Sequence, residues 1–159
     1  MFVLTLKRLP QLGNDTGIVT GTVETRRRVA LLPIHKELGP ERSAGLPGFH
    51  SLTGCDITGH ITGVGKKTAF KAFRKSPPHV VQALSKLGEE DVPPSEVIAR
   101  CEEFLCSVMG TKKVSAKTAS DLRWKRFKRL PKDQGVDKLP PTSGALYQHI
   151  LRAHLQARI

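Results

Sequence analysis

Residues 53–73 read TGCDITGHITGVGKKTAFKAF, with glycine at 54, 59, 63 and 65. Glycine at that density costs too much backbone entropy for a helix or strand to run through, so this stretch splits the chain. Everything with strand character lies before it. Residues 2–6, FVLTL, form a short apolar run rich in β-formers and are expected to be a buried strand of a parallel sheet. LGNDTG is a turn, and IVTGTVETRRRVALL reads as two more strands, 18–22 and 27–32, joined by a polar turn. Helical signals then take over. Pro33 suits a first helical position, Gly39 a helix end and Pro40 the next helix start. A helix across 46–53 would align Leu46, Phe49 and Leu52 on one face.

Beyond the glycines the chain reads as helix throughout. Segments 66–74 and 78–87 are candidates, and 94–109 is the clearest, with Ser95 as cap and an apolar stripe of Val97, Ile98, Cys101, Phe104, Leu105 and Val108. Residues 116–130 form a basic helix carrying Leu122 and Trp124. Residues 142–156 begin at a Thr142 cap and carry Leu146, Ile150, Leu151 and Leu155. PKDQGVDKLPP is the linker between these last two helices, and there is no internal repeat. Strands first and helices after imply a mixed α/β fold, a small and mostly parallel sheet followed by a helical half. The expected divisions are a partial α/β core over 1–56, a helical region over 57–110, and a basic helix, linker and C-terminal helix over 111–159.

Charge narrows the partners. With 26 Lys and Arg against 14 Asp and Glu the net charge is +12, which favours polyanions: duplex or branched DNA first, RNA second. The three cysteines, Cys55, Cys101 and Cys106, are odd in number and lack C-x-x-C spacing, so a reducing nuclear or cytoplasmic setting is expected rather than secretion. No histidine spacing suggests zinc. No apolar run approaches the roughly 18 residues of a membrane span, and MFVLTLKRL has the wrong order of charge and apolar residues for a signal peptide. KRFKR, at 125–129, fits a nuclear-import patch, a pattern common by chance.

The chemistry-bearing motif is Ile61-Thr62-Gly63-Val64-Gly65-Lys66-Lys67-Thr68-Ala69, which fits a helix-hairpin-helix pattern. Gly63 and Gly65 would let the hairpin turn tightly and bring bare N–H groups close to a phosphate. Val64 would fill the space between two helices, and Ala69 would be small where they cross. The following helix would aim its positive end at the same phosphate, with Lys66, Lys67, Lys71, Arg74 and Lys75 adding charge. Such contacts are sequence-independent and salt-sensitive. The alternative is an ordinary glycine turn before an amphipathic helix. A nucleotide P-loop is excluded, because His60 stands where its first glycine belongs and Lys67 where Ser or Thr belongs. A second basic region, TKKVSAKTASDLRWKRFKRLPK, supplies Lys125 and Arg126 as further backbone contacts. Its Leu122, Trp124 and Phe127 are expected to dock on the core.

FHSLTGCDITGHITGVGKKTAFKAF resembles the junction of the flap-endonuclease family, where a PIN-like α/β nuclease core runs into a helix-two-turn-helix. Gly54-Cys55-Asp56 matches that family's G-C/S-D element, and Gly63-Val64-Gly65 with Ala69 matches its turn. The resemblance implies magnesium-dependent phosphodiester hydrolysis, Asp56 as a ligand of one of two magnesium ions, and a turn that grips duplex DNA. Nearly the whole chain is also similar to a set of transposon-associated animal proteins with no assigned activity. The shared phrases are PQLGNDTGIVTGTVETRRR, LPGFHSLTGCDITGHITGVGKKTAFKAF and LPPTSGALYQHILRAH.

The acidic centre departs from the family pattern. Two-metal hydrolysis needs several carboxylates converging on ions about 4 Å apart. The family's D-x-D before a strand like FVLTL has no counterpart, and the acids preceding Asp56 are Asp15, Glu24, Glu37 and Glu41. The chain therefore reads as the C-terminal part of a nuclease-like domain, truncated at its N-terminus. Asp56 is then a turn cap or vestigial ligand. The expected function is sequence-independent DNA binding without catalysis by this chain. The alternatives are an active nuclease, where a longer product supplies the missing acids, and a non-enzymatic interaction module or transposon relic.

Overall fold

The computed structural model describes residues 2–55, 58–61, 64–111, 113–131, 135–136 and 139–158. Asp56, Gly63 and residues 132–134 and 137–138 of the expected linker lie outside the described residues. The chain is about 60 % helical, with nine helices and one two-stranded antiparallel sheet among the described residues. In chain order these are α1 (Phe2–Lys7), α2 (Leu9–Leu12), β1 (Gly17–Thr20), β2 (Arg27–Ala30), α3 (Leu32–Leu38), α4 (Pro40–Leu52), α5 (Lys66–Lys75), α6 (Pro78–Ser85), α7 (Ser95–Met109), α8 (Ala119–Phe127) and α9 (Ser143–Ala157).

This overturns the expected α/β class with its mostly parallel sheet. FVLTL is helix, not strand. A short apolar run has no period of its own to separate the two. Here Leu6 and Leu9 are buried and Val3 packs beside the core, a spacing of three that selects helix, while Phe2 and Leu4 face outward. The two remaining strands pair as a hairpin with Gly17 opposite Ala30 and Thr20 opposite Arg27. Their connection, residues 21–26, is far too short for the crossover that a parallel pair requires.

The hydrophobic core runs from Leu6 to Ala153 in sequence. Helix α4 lies at its centre, against α1, α3, α6 and α9. Leu46, Phe49 and Leu52 are buried as the spacing predicts. At Gly48 helix α6 comes so close that a Cβ would run into the Leu84 carbonyl oxygen. Phe49 stacks on Phe73 of α5 at 4.9 Å between ring centres and meets Phe104 of α7 edge-on at 6.2 Å. One side chain thereby positions three helices.

Polar side chains fasten the later helices. The Ser95 cap is corrected: Pro94 precedes α7 and no side chain caps it. Thr142 does cap α9, accepting from the Ala145 N–H at 3.3 Å. The expected apolar stripe of α9 is only partly right. Leu146 and Ile150 are buried, Leu155 is exposed, and His149 and His154 occupy buried positions instead. His149 Nε2 donates to Leu52 O at 2.8 Å. His154 Nδ1 accepts the Gly88 N–H at 3.1 Å and its Nε2 donates to Glu90 O at 2.9 Å, so one neutral tautomer meets both backbone groups. Among the described residues no helix is long and apolar enough to cross a membrane.

Candidate nucleic-acid interface

Helix α5 carries the motif's basic face. Its apolar residues recur at helical spacing: Ala69 and Phe73 are fully buried, and Phe70 and Ala72 pack against the same core. Val64, just before the helix, is buried too. Lys67, Thr68, Lys71, Arg74 and Lys75 occupy the opposite face and are exposed. No acidic residue stands on the helix. The first main-chain donor with a helical acceptor is the Ala69 N–H, bonded to Gly65 O at 3.0 Å, so the amides of Lys66, Lys67 and Thr68 form the open positive end of the helix.

Gly65 has a simpler conformation than a tight hairpin demands. Its φ of −76° and ψ of 142° are open to any residue, and a Cβ would meet nothing within 4 Å. Neither backbone nor packing calls for glycine there. No side chain caps the helix by a hydrogen bond.

The lysines of the motif are not equivalent. Lys66 turns back along α4, where its Nζ donates to His50 O at 2.9 Å and Gly54 O at 2.6 Å and lies 5.6 Å from the Phe49 ring centre. Burial lowers its pKa from the usual lysine value, against a smaller opposing pull from Cys55. Lys66 is thus a staple on the last turn of α4 and the residues that follow it. Arg74 pairs with Glu37 of α3 at 2.8 Å. Among the described residues Lys67 and Lys71 have no hydrogen-bond or ion-pair partner, and a helical turn apart they stand on one stripe.

In the second basic region the cations hydrogen-bond to main-chain carbonyls. Lys125 Nζ donates to Ser115 O at 2.8 Å and Arg126 to Met109 O at 2.7 Å. Arg123 donates to Pro140 O and Arg129 to Lys113 O, each at 2.6 Å. These cations hold Met109, Lys113 and Ser115, and Pro140 on the approach to α9, against α8 and the residues just after it. Leu122 is buried as expected, but Trp124 and Phe127 do not dock on the core: they are 56 % and 49 % exposed. Helical geometry accounts for it, since positions 124 and 127 lie about 200° and 140° round the helix from Leu122. Their rings stack on each other, 5.8 Å apart and 15° from parallel, with Lys128 Nζ 4.9 Å from the indole centre.

Among the described residues no three His, Cys, Asp or Glu side chains gather where one metal ion could be held. The magnesium pair implied by the nuclease resemblance has no ligand set there, and Asp56 lies outside the described residues. Cys101 and Cys106 are buried free thiols, and Cys55 is half-buried with its Sγ 3.1 Å from Thr58 Oγ1. No protein-family model, no curated protein and no solved structure matches the chain.

Proposed function

We propose that the chain binds the DNA backbone without sequence preference through the exposed face of α5. The observation that carries this reading is the pairing of a glycine-preceded helix end without a side-chain cap with Lys67 and Lys71, whose side chains have no partner among the described residues, on a helix without acids. A phosphate would meet the first-turn amides, and the lysines would follow the strand away from it. The net charge of +12 supports the same class of partner by raising its local concentration at long range. Three cysteines that form no disulfide fit a nuclear or cytoplasmic site of action.

The test is anisotropy of a labelled duplex titrated with the protein over a range of salt. Wild type is expected to bind with log affinity falling by about 0.9 per phosphate contact for each decade of salt. Gly65→Val, which the backbone and the surrounding space both tolerate, should keep the fold and weaken binding by covering the amides. Equal binding by wild type and variant would sink the helix-end contact. No binding at low salt would sink the function.

A further inference from the structure

We propose that the open cleft beside Trp124 and Phe127 is a stacking site for an unpaired base of single-stranded DNA. This rests on the DNA-binding reading for its class of partner, but on a different surface. Two large aromatic side chains half-exposed side by side are unusual on a chain with so few aromatics, and burial elsewhere in the core does not need them. They line a cleft of about 380 Å3 together with Val136, Leu139 and Arg123. That volume falls within the range of small-ligand sites.

Charge selects the occupant. Among the described residues no carboxylate lines the cleft, and its one charged lining side chain is Arg123. Lys128 Nζ lies over the indole ring, 4.9 Å from its centre, and an entering base would take its place there, leaving the ammonium to the phosphate of the stacked nucleotide. Lys125, Arg126 and Arg129 extend the positive charge along the same helix and the residues just after it. An aromatic platform bordered by cations is what sequence-tolerant single-strand binding uses, because every base has a π-face and every nucleotide a negative charge. A duplex offers no such face except at its ends.

Trp124 is the only tryptophan, so its emission reports this site alone. The experiment titrates the full chain with dT12, an abasic 12-mer of equal charge, rU12 and a blunt duplex. Binding is followed by Trp124 emission and, for labelled strands, by anisotropy. Expected are saturable quenching by dT12, at least about fivefold weaker binding of the abasic strand, and a loss of between about 5-fold and 100-fold in dT12 affinity in Trp124→Ala, with duplex affinity unchanged. Trp124→Phe, which keeps a ring, should retain most of the affinity, and far-UV circular dichroism checks that both variants fold. The proposal falls if the abasic strand binds and quenches as dT12 does, if Trp124→Ala binds dT12 as tightly as wild type, or if rU12 displaces dT12. Quenching by dT12 without duplex binding would leave the stacking site standing and remove the α5 interface. Duplex binding without quenching would do the reverse.

Discussion

The Glu102 carboxylate accepts a hydrogen bond from the Ser143 hydroxyl at 2.6 Å, and the same oxygen accepts the Ala119 N–H at 2.8 Å. Ser143 and Ser120 complete the junction, each main-chain N–H donating to the other's hydroxyl at 3.1 Å. One acid of α7 therefore meets the first residues of both α8 and α9, where a negative charge also opposes two positive helix ends. Glu102→Ala is expected to cost about 2–3 kcal/mol, since a charged acceptor of two hydrogen bonds is lost. Glu102→Gln should recover part of that loss. Urea unfolding of the three proteins checks the order.

Lys66 and its neighbours should separate cleanly. Lys66→Met removes two hydrogen bonds to main-chain carbonyls and is expected to lower stability by about 1–3 kcal/mol. Lys67→Met and Lys71→Met remove no side-chain contact among the described residues and should leave stability within about 0.5 kcal/mol. On duplex DNA each of these two should reduce the salt slope by about 1. Thermal melts and salt titrations of the three variants would expose any exchange of roles.

Close approach at Gly48 and the hydrogen bond from Gly88 to His154 make two distinct predictions. Gly48→Ala pushes a methyl into the Leu84 carbonyl and should destabilise by about 2–3 kcal/mol through overpacking of α4 on α6. Gly88, at φ +86°, sits against the Ala157 backbone and donates to His154. His154→Leu should cost about 2–3 kcal/mol by orphaning the Gly88 N–H and the Glu90 carbonyl. Amide exchange at Gly88 would rise in His154→Leu and stay slow in Gly48→Ala relative to global opening.

Burial pushes the Cys101 thiol up to about 12 from an ordinary value of 9.0. The folded pKa is raised, so its contribution to stability is fully present below pH 9 and is lost as pH climbs toward 12. Between those limits the unfolded chain gives up a proton that the native chain keeps, at about 1.4 kcal/mol per pH unit. Cys101→Ala should flatten the alkaline fall in unfolding free energy by that share. Iodoacetamide at pH 8 should label Cys55 first, with Cys101 and Cys106 reacting on unfolding.

The later helices were legible because their apolar residues repeat over enough turns to fix a period. Cys101, Phe104 and Leu105 of α7 and the Leu46, Phe49 and Leu52 face of α4 follow the pattern directly. FVLTL was not legible, since five apolar-rich residues fit either period and only packing against α4 decides. Chain order also misleads about sheets, because the strands of β1 and β2 need a partner count and direction that no local pattern records. At the site, the positive face of α5 was readable from spacing. The inward turn of Lys66 was not, because it depends on where the last carbonyls of α4 come to rest. The exposure of Trp124 was available in principle from its angle to Leu122. Aromatic identity alone pointed the other way.

The staples of the basic helix carry one more implication. Arg123, Lys125, Arg126 and Arg129 are each hydrogen-bonded to a neutral carbonyl rather than to an acid. Such a bond fixes a cation in place yet cancels none of its charge. The interior wiring of this end of the molecule and its outward electric field are therefore one and the same set of atoms. Replacing one of these cations by a side chain without a donor would weaken the field and release a carbonyl in the same step, so charge and local packing are coupled at this end of the molecule.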